Sequence, residues 1–128
     1  MLQLTKAEEQ VMHILWSLKQ ATVQQVLEKF SSSKPARTTI STILSILENK
    51  GFVSHENKGK SNLYTFLISK EDYSRLQLSG VLKKYFDNSF ASMASFFAKE
   101  NNISLEELDQ LLEETKAELR KEKMNNKN

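Results

Sequence analysis

"ARTTISTILSILENKGFV", residues 36–53, is the stretch on which the reading of this chain turns. Thr and Ile are stiff at χ1 and only middling helix formers. Even so, Ile40, Ile43, Leu44 and Leu47 fall at i, i+3, i+4 and i+7, the template of an amphipathic helix. Gly51 stands where a helix end favours a residue free to adopt the left-handed conformation. The face opposite the apolar stripe carries Thr38, Ser41, Thr42 and Ser45, where a solvated face would normally carry Glu, Lys and Gln. Short hydroxyl side chains at helical spacing suit a surface that another molecule approaches closely.

Composition narrows what that molecule can be. A chain of 128 residues is one domain, or a small domain with an appendage. It has no cysteine, which excludes disulfide scaffolds, thiolate metal sites and cysteine nucleophiles. No run approaches the roughly 18 apolar residues of a membrane span, and the N-terminus lacks a signal-peptide core. The expectation is a soluble cytoplasmic protein with no direct membrane insertion. Three glycines and one proline leave little room for turns, so helices should dominate. The formal charge is +2, unevenly placed: residues 1–70 carry a net +4 and residues 71–128 a net −2. That asymmetry points to an anionic partner for the first half.

Working outward, Thr5 and Glu8 have capping-box spacing ahead of an apolar stripe at Ala7, Val11, Ile14, Leu15 and Leu18. This predicts a first helix ending near Lys19, with Trp16 as a packing residue at the stripe's edge. Thr22 and Gln25 repeat the box, and Val23, Val26, Leu27 and Phe30 predict a short second helix. Pro35 suits the first turn of the third. After Gly51 the pattern changes: 52–56 and 62–67 are rich in β-formers around "NKGKS", which predicts a hairpin turning at Gly59.

Three helices followed by a hairpin is the order of a winged helix-turn-helix, whose helix after the turn enters the major groove of DNA. On that reading Thr38, Ser41, Thr42 and Ser45, with Thr39 beside them, lie against base edges. Lys34, Arg37, Lys50, Lys58 and Lys60 frame the face and hold phosphates without reading sequence. A hydroxyl-rich face can also be plain surface, and winged helices also serve as protein-interaction modules, so this second function stays open. A repressor released by a small ligand is a third reading, requiring an apolar pocket between domains.

Downstream, 71–88 can form a helix with Leu78, Leu82, Tyr85 and Phe86 on one side. Phe90, Met93, Phe96 and Phe97 continue the apolar supply in a short helix. Ser104 and Glu107 then open a helix with Leu105, Leu108, Leu111, Leu112 and Leu119 along it. Roughly 55 residues in short helices bury too little surface to stand alone. A second copy of the chain would cover their apolar residues, with Leu78, Leu82, Tyr85, Phe86, Phe90, Phe97, Leu108 and Leu112 as the dimerisation set; packing on the winged domain is the alternative. The expected architecture is mainly α with a small β-hairpin: a winged helix-turn-helix at 1–70, a helical dimerisation domain at 71–124 and a disordered tail at 125–128.

Catalysis is disfavoured by inventory. His13 and His55 are the only histidines and lack metal-ligand spacing, Glu106/Glu107 and Glu113/Glu114 lie on a solvated face, and no Gly-rich phosphate loop occurs. No metal and no cofactor is expected.

"LTKAEEQVMHILW", "TVQQVLEKF" and "ARTTISTILSILENKGFV" together resemble the penicillinase-repressor family of bacterial transcription factors, the BlaI/MecI type, from about Leu4 to Glu122. The resemblance implies a dimeric repressor of an antibiotic response, bound to a pseudo-palindromic double-stranded DNA operator. It also implies a membrane sensor-protease that ends repression by cutting the C-terminal domain. The equivalent segment here is "SMASFFAKE", which places the bond at Phe96–Phe97, with Phe96 where relatives can have Asn. Some members carry Arg at the positions of Ser41 and Ile46, so a direct guanine contact from those positions is missing. The cysteine-rich tail of the copper-responsive branch is absent.

Overall fold

The computed structural model describes residues 3–31 and 33–125. Its elements are α1 (Lys6–Leu18), β1 (Gln20–Ala21), α2 (Val23–Glu28), α3 (Arg37–Asn49), β2 (Val53–Lys58), β3 (Ser61–Phe66), α4 (Lys70–Phe86), α5 (Phe90–Glu100) and α6 (Leu105–Asn125). The chain divides into two units, Met1–Gln77 and Leu78–Asn128, so that the division falls inside α4.

In the first unit both capping boxes form as the spacing predicts. Thr5 and Glu8 bond each other's backbone N–H at the start of α1, and Thr22 and Gln25 do the same for α2. At the end of α3 the Phe52 N–H donates to Leu47 O (2.9 Å) and the Gly51 N–H to Glu48 O (3.0 Å). This pairing needs the left-handed residue that Gly51 supplies at φ +84°. It also delivers Phe52, fully buried, directly into the core.

That core is one cluster of Val11, Met12, Leu15, Ala21, Val26, Phe30, Ile40, Leu44, Leu47, Phe52, Val53, Tyr64 and Tyr73. Packing of Ile40, Leu44 and Leu47 outweighs the weak local propensity of α3. Two expectations are corrected, and the predicted hairpin gains a third strand. Ala7 is exposed, and Met12 takes its place in the core, because the capping box turns Glu8 inward instead. Pro35 lies before the N-cap Ala36 and not in the first turn of α3. The hairpin is the larger part of a three-stranded antiparallel sheet, in the order β1-β3-β2. Gln20 pairs with Thr65 and Ala21 with Tyr64, and the hairpin register runs from Val53↔Phe66 to Lys58↔Ser61. Gly59, at φ +66°, and Lys60 form its two-residue tip.

The first unit keeps the beginning of α4. Tyr73 is 6% exposed; its ring lies 5.9 Å from Phe52 and 5.7 Å from Trp16, and its hydroxyl donates to Glu9 Oε2 at 3.0 Å. Trp16 Nε1 donates to Ile68 O at 2.9 Å.

The second unit, the rest of α4 with α5 and α6, is built differently. Ser89 caps α5, and Ser104 and Glu107 form the predicted capping box of α6. Yet α5 and α6 contain no buried residue among those described. The expected tail, 125–128, lies outside the described residues except for Asn125, the last residue of α6.

Candidate nucleic-acid interface

The hydroxyl face of α3 is exposed along Thr38, Thr39, Ser41, Thr42 and Ser45. It stands clear because Ile40, Leu44 and Leu47 fix the opposite side of the helix in the core. Thr42 Oγ1 donates to Thr38 O at 2.9 Å, so Thr42 presents a methyl group and an acceptor oxygen, with its proton already committed. Ile46, 38% exposed, adds a small apolar edge.

The five predicted basic residues fall into different environments. Lys50 Nζ is taken up by Glu8 Oε1 at 2.6 Å and Gln3 O at 3.1 Å. It thereby closes the end of α3 onto the start of α1. Burial raises the Glu8 carboxyl's pKa, but the Lys50 hydrogen bond and charge and the Thr5 hydrogen bonds outweigh it and leave the pKa lowered. Lys58 pairs with Glu56 at 3.2 Å. Arg37 at the first turn of α3 has a neutral partner: Nη1 donates to Gln24 Oε1 at 3.0 Å, and Gln24 Nε2 donates in turn to Glu28 Oε2 at 3.3 Å. Lys34 is exposed in the segment before α3, and Lys60 is exposed at the wing tip.

Arg37 and Lys60 are brought together around a polar notch of about 360 Å³ between the start of α2, the first turns of α3 and the hairpin. Ser41, Ser61, Asn57 and Asn62 also line it, and no carboxylate does among the described residues. Sequence reasoning missed Gln24 and the Asn57–Asn62 pair. The signal for the asparagines was present, since a two-residue turn at Gly59-Lys60 sets Asn57 opposite Asn62. The signal for Gln24 was not, because its bond to Arg37 depends on how α2 packs on α3.

Elsewhere, His55 Nδ1 lies 2.9 Å from both Glu48 oxygens, joining β2 to α3. His13 lies 3.6 Å from Glu9 and edge-on to Trp16. Among the described residues no three His, Asp or Glu side chains converge as a metal site, and no helix is long and apolar enough to cross a membrane.

In the second unit the residues expected to dimerise are open to solvent. Leu78, Tyr85, Phe90, Phe97, Leu108 and Leu112 are exposed, as is Phe96; Leu82 and Phe86 are half-buried. The Phe86 and Phe96 rings lie 5.7 Å apart, tilted by 55°, joining α4 to α5. The Phe96–Phe97 bond sits inside α5, where the Phe97 carbonyl accepts from the Asn101 backbone (3.1 Å) and side chain (2.8 Å).

Comparison with known proteins places this geometry. A family model described as penicillinase repressor matches residues 4–117. The chain belongs to that family. It is similar to the penicillinase repressor of Bacillus licheniformis, 29% identical over 89% of this chain and 92% of the relative. It is also similar to the methicillin resistance regulatory protein MecI of Staphylococcus aureus strain N315, 26% identical over 85% of this chain and 89% of the relative. Among solved structures, the DNA-binding domain of the repressor BlaI aligns with 56% of this chain and 88% of its own, at 32% identity and a TM-score of 0.50. A mutant of MarR from E. coli shares the fold at 16% identity and a TM-score of 0.50, over 92% of this chain and 79% of its own. The chain is therefore a mainly helical protein with a winged-helix unit, as the residue pattern predicted.

Proposed function

We propose that this chain is a DNA-binding transcriptional repressor, not an enzyme, acting in the cytoplasm as a homodimer on a pseudo-palindromic operator. The winged domain, about residues 1–70, binds DNA; the helical region, 71–124, pairs two copies. The observation that carries this reading is the exposed hydroxyl face of α3, held outward by a fully buried stripe and flanked by Arg37 and Lys60. Thr38, Thr39, Ser41, Thr42 and Ser45 meet base edges, while Lys34, Arg37 and Lys60 meet phosphates. Lys50 and Lys58, each paired with a carboxylate, contribute less of their charge. Family membership supports the reading, as does likeness to a repressor's DNA-binding domain.

Repression ends by proteolysis at Phe96–Phe97, carried out by a membrane sensor-protease. The bond lies within a helix, so α5 opens locally before it is cut. Losing α5 removes part of the pairing surface, and operator affinity falls with the dimer.

Selection of bound duplexes from a random pool, followed by titration across salt concentrations, tests the reading. A recovered two-fold-related sequence and a steep loss of affinity with salt are the expected results, since phosphate contacts release counterions. Recovery of no sequence together with salt-insensitive behaviour would establish a protein-interaction module instead.

A further inference from the structure

We infer that the notch between α3 and the hairpin grips a single phosphate group between Arg37 and Lys60, and that Gln24 is the residue that positions Arg37 for it. The inference rests on the DNA-binding reading and deepens it: on the operator, the group is one backbone phosphodiester bridged by helix and wing.

Glu8 takes up Lys50 and Glu56 lies beside Lys58, so each of these cations already has a carboxylate partner. Arg37 is held just as definitely, at 3.0 Å, but by an amide oxygen that carries no charge. Gln24 is itself oriented by Glu28, one turn on. The guanidinium is thus fixed in direction and keeps its full charge, the arrangement that favours a charge-assisted bond to phosphate. Lys60, at the hairpin tip, lines the same notch and pairs with no carboxylate among the described residues. Around the two cations stand Ser41, Ser61, Asn57 and Asn62, whose hydroxyl and amide groups can donate to phosphate oxygens. Two uncompensated cations with neutral donors and no lining acid make a site for an anion, and the mouth of the notch lies beside the hydroxyl face of α3.

The test uses the full chain and the duplex recovered by selection, with methylphosphonate replacing each backbone phosphate in turn. One position should weaken wild-type binding roughly tenfold, the scale of a charged hydrogen bond. The same replacement should have little further effect on Arg37→Ala or Lys60→Ala. Gln24→Glu, which keeps the acceptor and adds a charge, should lower the salt slope by about one phosphate contact. Gln24→Ala should weaken binding a few-fold with the slope unchanged. Should Gln24→Glu disturb α2, visible as a lowered Tm, Lys60→Ala at the exposed tip carries the same comparison. Equal sensitivity of wild type and both cation variants at every position overturns the inference while leaving DNA binding in place. Titration of inorganic phosphate without DNA, followed by amide shifts of Asn57, Lys60 and Asn62, separates the sources. Saturation at sub-millimolar phosphate with a flat methylphosphonate scan would mean a site for a free phosphate compound and would also overturn the assignment to DNA. Loss of all salt-dependent DNA binding would instead reject the underlying reading.

Discussion

Lys50 Nζ and Glu8 Oε1 lie 2.6 Å apart, and through this pair the last turn of α3 is fastened to the first turn of α1. Glu8 is 6% exposed and also caps its own helix through the Thr5 N–H, so one carboxylate serves both ends. Glu8→Gln should cost about 1–3 kcal/mol, since it strands a partly buried ammonium. Because the folded carboxyl has a lowered pKa, its contribution is present above the unfolded value, about 4.5. It is lost as pH falls through the folded value. Thermal melts from pH 7 to pH 2 should show a steeper acid decline for the wild type than for Glu8→Gln.

The same pair predicts how Lys50 behaves toward DNA. Lys50→Ala should lower Tm yet leave the salt slope of DNA binding unchanged, whereas Lys60→Ala should leave Tm alone and reduce the slope by about one contact. Equal slope reductions would show that Lys50 leaves Glu8 to meet phosphate.

Tyr73 gives an alkaline counterpart. Burial, then the hydrogen bond and charge of Glu9, push its hydroxyl up to about 12. The unfolded chain releases that proton near 10, so stability is fully present below pH 10 and is lost as pH rises toward 12. Tyr73→Phe should be less stable at neutral pH and should lose less of its stability between pH 10 and 12. Trp16, the only tryptophan, lies 5.7 Å from the Tyr73 ring and reports the transition by fluorescence.

Thr42→Glu should abolish specific DNA binding, with a loss above about a hundredfold, and should leave the melting curve near wild type. The position is exposed, and a carboxylate there repels phosphate. Wild-type affinity in this variant would assign the interface to another face.

Phe90→Glu with Leu112→Glu should give a folded monomer in sedimentation, with operator affinity lowered ~10²–10⁴-fold by the loss of linked half-sites. Both side chains are exposed on their own chain, so the change acts on pairing. In cells treated with a β-lactam, intact-mass spectrometry should find a fragment ending at Phe96; full-length protein released from DNA would reject proteolytic relief.

The helices of the winged unit and the hairpin were legible because period and caps agree: Ile40, Leu44 and Leu47 with Gly51, and both Thr capping boxes, each act within a few residues. What escaped were effects of distance along the chain. β1 is two residues long and exists only through Thr65 and Tyr64, far downstream. The carboxylate partner of Lys50 could not be read locally, because Glu8 is 42 positions away. Ala7 is exposed and Met12 is buried, with Glu8 turned inward by its capping box. In the candidate site, the hydroxyl face could be read directly, whereas the Gln24 hold on Arg37 required the packing of α2 on α3.

The absence of any buried side chain in α5 and α6 among the described residues has a temporal consequence. Under the proposed proteolytic release, a cut and separated subunit would carry bare phenylalanines and leucines into a crowded cell, where quality-control proteases and aggregation would compete with re-pairing. Recovery of silencing would then depend on newly made chains, and translation and growth would set the length of the response after the signal has gone.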